Sequence, residues 1–167
     1  GDDEILKKMG RPYTIDQYKK IIRKIREKIP QISLSTDVIV GFPGETEKCF
    51  QNTVKLFKEI KFDMAYIAQF SPRPGTPAAR MEDNISPHEK ERRWKILTNV
   101  LKEIALEKNR KYIGKKVEVL VEESKNGFLI GKTRTYKTVK FEGSSGLIGK
   151  FTKVKILEAL PWRLSGC

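Results

Sequence analysis

Cysteine is scarce in this 167-residue chain: only Cys49 and Cys167 occur, more than a hundred positions apart. Two distant thiols form no metal-ligand spacing and no disulfide framework, so a reduced cytoplasmic setting without a metal site is expected. Histidine is scarcer still. The single His88 falls in the first turn of an expected helix and reads as exposed and inert. No apolar run approaches the roughly 18 residues that a membrane span needs. The opening GDDEILKKMG is polar and acidic, unlike a secretory leader, and its first residue is Gly rather than Met, which points to a fragment or a processed chain. The glycine-rich stretch STDVIVGFPGETEKCF lacks the Lys-Ser/Thr of a phosphate-cradling P-loop, because Gly44 is followed by Glu45-Thr46. Nor does it contain G-x-G-x-x-G.

What the chain has in excess is positive charge, +13 in all. It is uneven: residues 1–106 hold 20 Lys/Arg against 15 Asp/Glu, net +5, and residues 107–167 hold 14 against 6, net +8. A basic domain favours a polyanionic partner, most often nucleic acid.

The first half alternates helix and strand. In YTIDQYKKIIRKIREKIP, Thr14 and Gln17 stand at capping-box spacing, and Ile15, Tyr18, Ile21, Ile22, Ile25 and Ile29 form one helix face. QISLSTDVIV reads as a buried strand rich in β-branched residues. Glu45 and Thr46 are placed to cap the next helix, whose Phe50, Val54, Phe57 and Ile60 face inward. FDMAYIAQF is a second strand. This order implies a parallel α/β sheet, but two strands cannot complete a barrel, so the half reads as the end of a larger domain. SPRPGTPAARMEDNISP is irregular. A long amphipathic helix follows, with Ser86 as N-cap, Trp94, Leu97, Leu101, Ile104 and Leu106 towards a core, and Gly114 at its end. The lysine-rich faces at 19–28 and 90–95 are expected to be solvated. The remainder alternates as short strands, with a tight turn at Asn126-Gly127, and suggests a small five-stranded barrel of the oligonucleotide-binding kind.

Four stretches then become recognisable: DEILKKMGRPYT, STDVIVGFPGET, FSPRPGTPAA and the terminal GKTRTYKTVKFEG…LIGKFTKVKILEALPWRLSG. In this order they resemble the radical S-adenosylmethionine (SAM) methylthiotransferases of the MiaB/RimO family, tRNA branch, which end in a TRAM domain. The resemblance covers nearly the whole chain. It implies the last βα units of a partial TIM-type radical SAM barrel over residues 1–111, including the long helix, and a TRAM RNA-binding barrel over 112–167. It further implies C2 methylthiolation of N6-isopentenyladenosine in tRNA, with SAM and two [4Fe–4S] clusters as cofactors. The partners implied are the tRNA anticodon stem–loop and an electron donor. The alternatives are a stand-alone TRAM-type RNA-binding protein and a fragment of the ribosomal-protein branch.

The family's Cys-x-x-x-Cys-x-x-Cys loop and its three N-terminal cysteines have no counterpart here, so the chain alone is expected to be inactive. The resemblance assigns Val40, Gly41, Phe42, Pro43 and Gly44 to a SAM-facing loop, a setting in which Glu45 is tolerable because the ligand is a sulfonium rather than a triphosphate. Phe70 and Ser71 are placed on the same cofactor, and Arg73 on the SAM carboxylate or a tRNA phosphate. Arg11, with Tyr13, has a weaker claim to face the substrate. In the barrel, Lys132, Arg134, Tyr136, Lys137 and Lys140 combine charge for phosphates with one ring for a base, as RNA contact requires. Phe128 and Phe141 are expected in the core, and Trp162 in either place.

Overall fold

The computed structural model describes residues 1–167. They form two compact units, Gly1–Leu101 and Lys102–Cys167.

In the first unit, α1 (Asp3–Lys8) is capped by Asp2. The capping box of α2 (Ile15–Lys28) forms as its sequence predicts, with Thr14 and Gln17 exchanging side-chain and backbone bonds. Strand β1 (Ser35–Val40) leads through a turn to α3 (Glu47–Ile60), and β2 (Met64–Gln69) lies parallel to β1 with Ser35 opposite Met64 and Val40 opposite Gln69. The core sits between this pair and the helices, built from Ile22, Leu34, Val40, Phe50, Phe57 and Phe62 with Leu97 and Leu101 of α4 (Pro87–Arg110).

Two expectations change here. Ile21 and Ile29 of α2 are more than half exposed, because the apolar pattern is wider than the surface that covers it. Strand β1 is not buried on both faces. Its pattern alternates, so Ser35, Asp37 and Ile39 are exposed on the side away from the helices, and Met64, Tyr66 and Ala68 of β2 are exposed likewise. A parallel sheet is normally covered on both faces; these two strands are covered on one.

The second unit is a closed five-stranded barrel of order β3-β4-β5-β7-β6, comprising β3 (Lys116–Lys125), β4 (Phe128–Thr133), β5 (Thr138–Glu142), β6 (Phe151–Ala159) and β7 (Leu164–Gly166). Closure removes the open edges that a small sheet would expose. Val119, Val121, Leu129, Val139, Phe141, Val154, Ile156 and Leu164 fill its interior. Asn126 and Gly127 both take positive φ in the β3–β4 turn, the conformation that favours Asn-Gly in tight hairpins. The last turn of α4 belongs to this unit: Asn109 Nδ2 donates to the carbonyls of Leu160 and Pro161 at 2.7 and 3.1 Å. The helix ends at Arg110, and a turn carries the chain on to Gly114.

Candidate functional site

The loop after β1 is held from inside. Thr46 caps α3 by accepting from Cys49 N–H, as its position predicts. Glu45 does something else. Its side chain is buried and accepts the Gly41 N–H at 2.6 Å. Arg93 of α4 lies 2.9 Å from the same carboxylate and also donates to the Glu45 carbonyl at 2.7 Å. An acid follows the glycine turn because it replaces a ligand anion with an internal one, closing the loop on itself.

Around this pair, Glu89 accepts from Arg93 and Arg92, both at 2.7 Å. Bonding from Arg92 first, and then from Arg93, pulls the Glu89 pKa down to about 2. Lys90 is also buried. It pairs with Asp83 at 2.5 Å and lies 5.3 Å from the centre of the Phe70 ring. Its stem fills the space beside Gly41, where a Cβ would stand 2.3 Å from Lys90 Cγ. The Lys90–Lys95 segment is therefore not simply a solvated face: Lys90 and Arg93 point inward and tie both strand-end loops to the first turns of α4. Trp94 is half-exposed rather than core, with its indole N–H donated to Ile67 O at 2.9 Å.

This alters the picture of a ligand wall. Val40, Gly41, Phe42 and Pro43 are buried in the chain's own core, with Phe42 edge-on to Phe70 at 5.2 Å. The Gly41 N–H is taken by Glu45 and the Gly44 N–H by Asn84. Phe70 is buried, whereas Ser71 and Arg73 are exposed beyond the end of β2. A cleft brings Arg11 and Tyr13 beside Asp37 and Ile39 of β1. Asp37, Ile39 and Tyr66 were missed as candidates; the signal was the period-2 alternation of the two strands, obscured by an apolar run that reads as doubly buried.

In the barrel, Tyr136 is 75% exposed with φ +61. Lys132 Nζ lies 5.1 Å from its ring centre and donates to Thr138 Oγ1. Arg134 is exposed and paired with Glu118 at 2.9 Å. Lys140 covers the half-buried Phe128 ring at 3.7 Å. Lys137 is only 8% exposed, so it does not share the open surface of its neighbours. Its N–H bonds Thr133 Oγ1 and its carbonyl accepts from Thr133 N–H, and this tight turn draws the residue inward. Phe141 is core and Trp162 half-exposed.

Comparison with known proteins follows the same division. Residues 1–57 match the Radical SAM superfamily and residues 110–166 the TRAM domain. Over 99% of its length the chain is 48% identical to the tRNA-2-methylthio-N(6)-dimethylallyladenosine synthase of Geobacillus kaustophilus (strain HTA426), 47% to that of Bacillus subtilis (strain 168), and 46% to that of Aquifex aeolicus (strain VF5). The chain belongs to the radical SAM methylthiotransferases. It spans about a third of the length of these relatives: 32%, 33% and 38% respectively.

The family implies SAM and iron–sulfur clusters. The residues present do not fit a cluster, which is held by several thiolates: Cys49 is buried at the start of α3 and Cys167 lies in the other unit. Asp2 and Glu4 do approach Cys49, but the Asp2 carboxylate is engaged by Glu4 N–H, Ile5 N–H and Asn52, and oxygen donors of this kind do not hold iron–sulfur clusters. For SAM the fit is partial. The loop amides of Gly41 and Gly44 are already used, while Ser71 and Arg73 are free to meet a carboxylate-bearing ligand. No helix is long and apolar enough to cross a membrane.

Proposed function

We propose that the chain is the C-terminal portion of a tRNA methylthiotransferase acting at C2 of N6-isopentenyladenosine, with the first unit contributing to the SAM pocket and the barrel holding the tRNA. The observation that carries this reading is the likeness to synthases of that name along 99% of the chain. In this reading SAM supplies the reactive carbon groups. The chain's own part is binding and orientation. Arg73, exposed past β2, takes the ligand carboxylate, and Ser71 beside it offers a hydroxyl. Val40, Gly41, Phe42, Pro43, Gly44 and Phe70 act mainly from beneath, as the packed floor that fixes where those groups stand. The uncovered sheet face of Asp37, Ile39 and Tyr66 lines the cavity that further βα units would enclose. The complete protein works in the cytoplasm and takes electrons from a donor partner.

On the barrel, Lys132, Arg134 and Lys140 meet phosphates of the anticodon stem–loop, and the Tyr136 ring stacks on an unpaired base. A second reading, an RNA-binding protein without catalysis of its own, is favoured by one observation: the chain holds no thiolate set for a cluster. Both readings require RNA binding by the barrel. Fluorescence anisotropy of the chain with a labelled tRNA anticodon stem–loop tests it. Affinity should fall steeply as salt rises, because phosphate neutralisation releases counterions. Absence of binding at low salt would remove the RNA role from both readings.

A further inference from the structure

The barrel presents a second exposed ring. On β6, Phe151, Lys153 and Lys155 point outward, alternating with the buried Val154 and Ile156. Across the ladder Phe151 stands opposite Leu120, Lys153 opposite Glu118, and Lys155 opposite Lys116. Leu120 in turn stands opposite Lys132 of β4, whose ammonium lies against the Tyr136 ring. One row across three strands thus reads Phe151, Leu120, Lys132, with Tyr136 beyond. Adjacent strands lie about 4.8 Å apart, so Phe151 and Lys132 are separated by roughly 10 Å across the sheet.

A single exposed apolar side chain is ordinary. Phe151, however, is 62% exposed and stands at the head of a cationic surface. The next row, Lys153, Glu118 and Arg134, sets two cations on one acid. The row after it opposes Lys116 and Lys155 directly, an arrangement that destabilises a sheet until an anion lies over it. Rings open to solvent beside opposed lysines match bases and phosphates together.

We propose that Phe151 is a second base-stacking residue, and that single-stranded RNA crosses β6, β3 and β4 with one base on Phe151, another on Tyr136, and phosphates over Lys116, Lys153 and Lys155. This rests on the RNA-binding reading of the barrel. The row selects unpaired RNA, since bases inside a duplex are stacked on each other and closed to side-chain rings.

The test uses the whole chain, with a labelled unstructured oligoribonucleotide and a duplex of equal length, titrated at several salt concentrations. Phe151→Ala should weaken single-strand binding roughly 5- to 100-fold, the range of base–ring stacking, with the salt slope unchanged. Phe151→Leu should behave like Ala, because it keeps apolar bulk and loses the ring, and Phe151→Tyr should restore affinity. Lys153→Ala with Lys155→Ala should flatten the slope by about one unit. Duplex binding should not respond to Phe151. If Phe151→Ala binds single strands like wild type while Tyr136→Ala does not, the Phe151 proposal fails and the RNA reading stands. If Phe151→Leu matches wild type, or Phe151→Ala weakens the duplex equally, stacking by Phe151 is likewise overturned. If the wild-type chain binds no RNA at low salt, both fall.

Discussion

Glu45 and Arg93 meet at 2.9 Å in the interior of the first unit, with their side chains 3% and 5% exposed. They are 48 positions apart in the chain, and they join the turn after β1 to the second turn of α4. The Arg93 guanidinium also lies 5.5 Å from the centre of the Phe50 ring. A buried ion pair contributes little net stability compared with an apolar replacement, but losing one partner strands the other charge.

That asymmetry sets the first prediction. Arg93→Met should destabilise the chain by about 3–5 kcal/mol in denaturant unfolding. Combining it with Glu45→Gln should recover part of the loss, because the amide oxygen still accepts the Gly41 N–H and no charge remains buried. A double variant as unstable as the sum of the singles would show that the two residues are not coupled.

Gly41 sits at φ +71 with Lys90 pressed against it. Gly41→Ala places a Cβ in the left-handed region, at a cost of about 1–3 kcal/mol, and displaces the Lys90 stem. Reduced thermal stability is expected, with RNA affinity of the barrel unchanged. An unaltered melting temperature would mean that the loop relaxes at no cost.

The Glu89 clamp gives a pH signature. Its pKa is depressed in the folded chain from 4.5 to about 2. A carboxylate lowered on folding contributes stability that is complete above its unfolded value and is lost as pH falls through its folded one. The melting-temperature difference between wild type and Glu89→Gln should therefore hold at pH 6 and shrink between about 4.5 and 2. A difference that stays constant across that window would show that the carboxylate charge is not what matters.

Lys137 and Arg134 should separate cleanly. Arg134→Ala should lower the salt slope of RNA binding by about one unit, as loss of one phosphate contact does. Lys137→Ala, at a buried position, should lower barrel stability and leave the slope alone. The reverse result would place the Lys137 ammonium on the RNA.

Much of the architecture is legible in the sequence because it is local. Thr14 with Gln17, Ser86 with Glu89 and Asn126-Gly127 announce themselves within four residues, and each forms as expected. The strand alternation from Lys116 onward is likewise local and closes as a five-stranded barrel. What was not legible is long-range. Nothing within reach of Glu45 in the sequence identifies Arg93 as its partner. Lys90 and Arg93 look like neighbours in a solvated charge run until α4 is laid against the strand ends. Lys137 reads like Lys132 until the turn at Tyr136 draws it inward. The exposure of Asp37, Ile39 and Tyr66 depends on what covers the sheet, and no short stretch encodes that.

The central claim is that this chain serves a tRNA methylthiotransferase and cannot perform the reaction alone. Mass spectrometry of tRNA nucleosides tests it most directly. Transfer RNA carrying N6-isopentenyladenosine is incubated anaerobically with SAM, a sulfur source and a reductant, once with the complete reconstituted protein and once with residues 1–167 treated identically. The account predicts 2-methylthio-N6-isopentenyladenosine from the complete protein and, from the chain alone, neither that product nor cleaved SAM, because it has no thiolate set for a cluster. Product or cleaved SAM from the isolated chain, or no product from the complete protein, would contradict it.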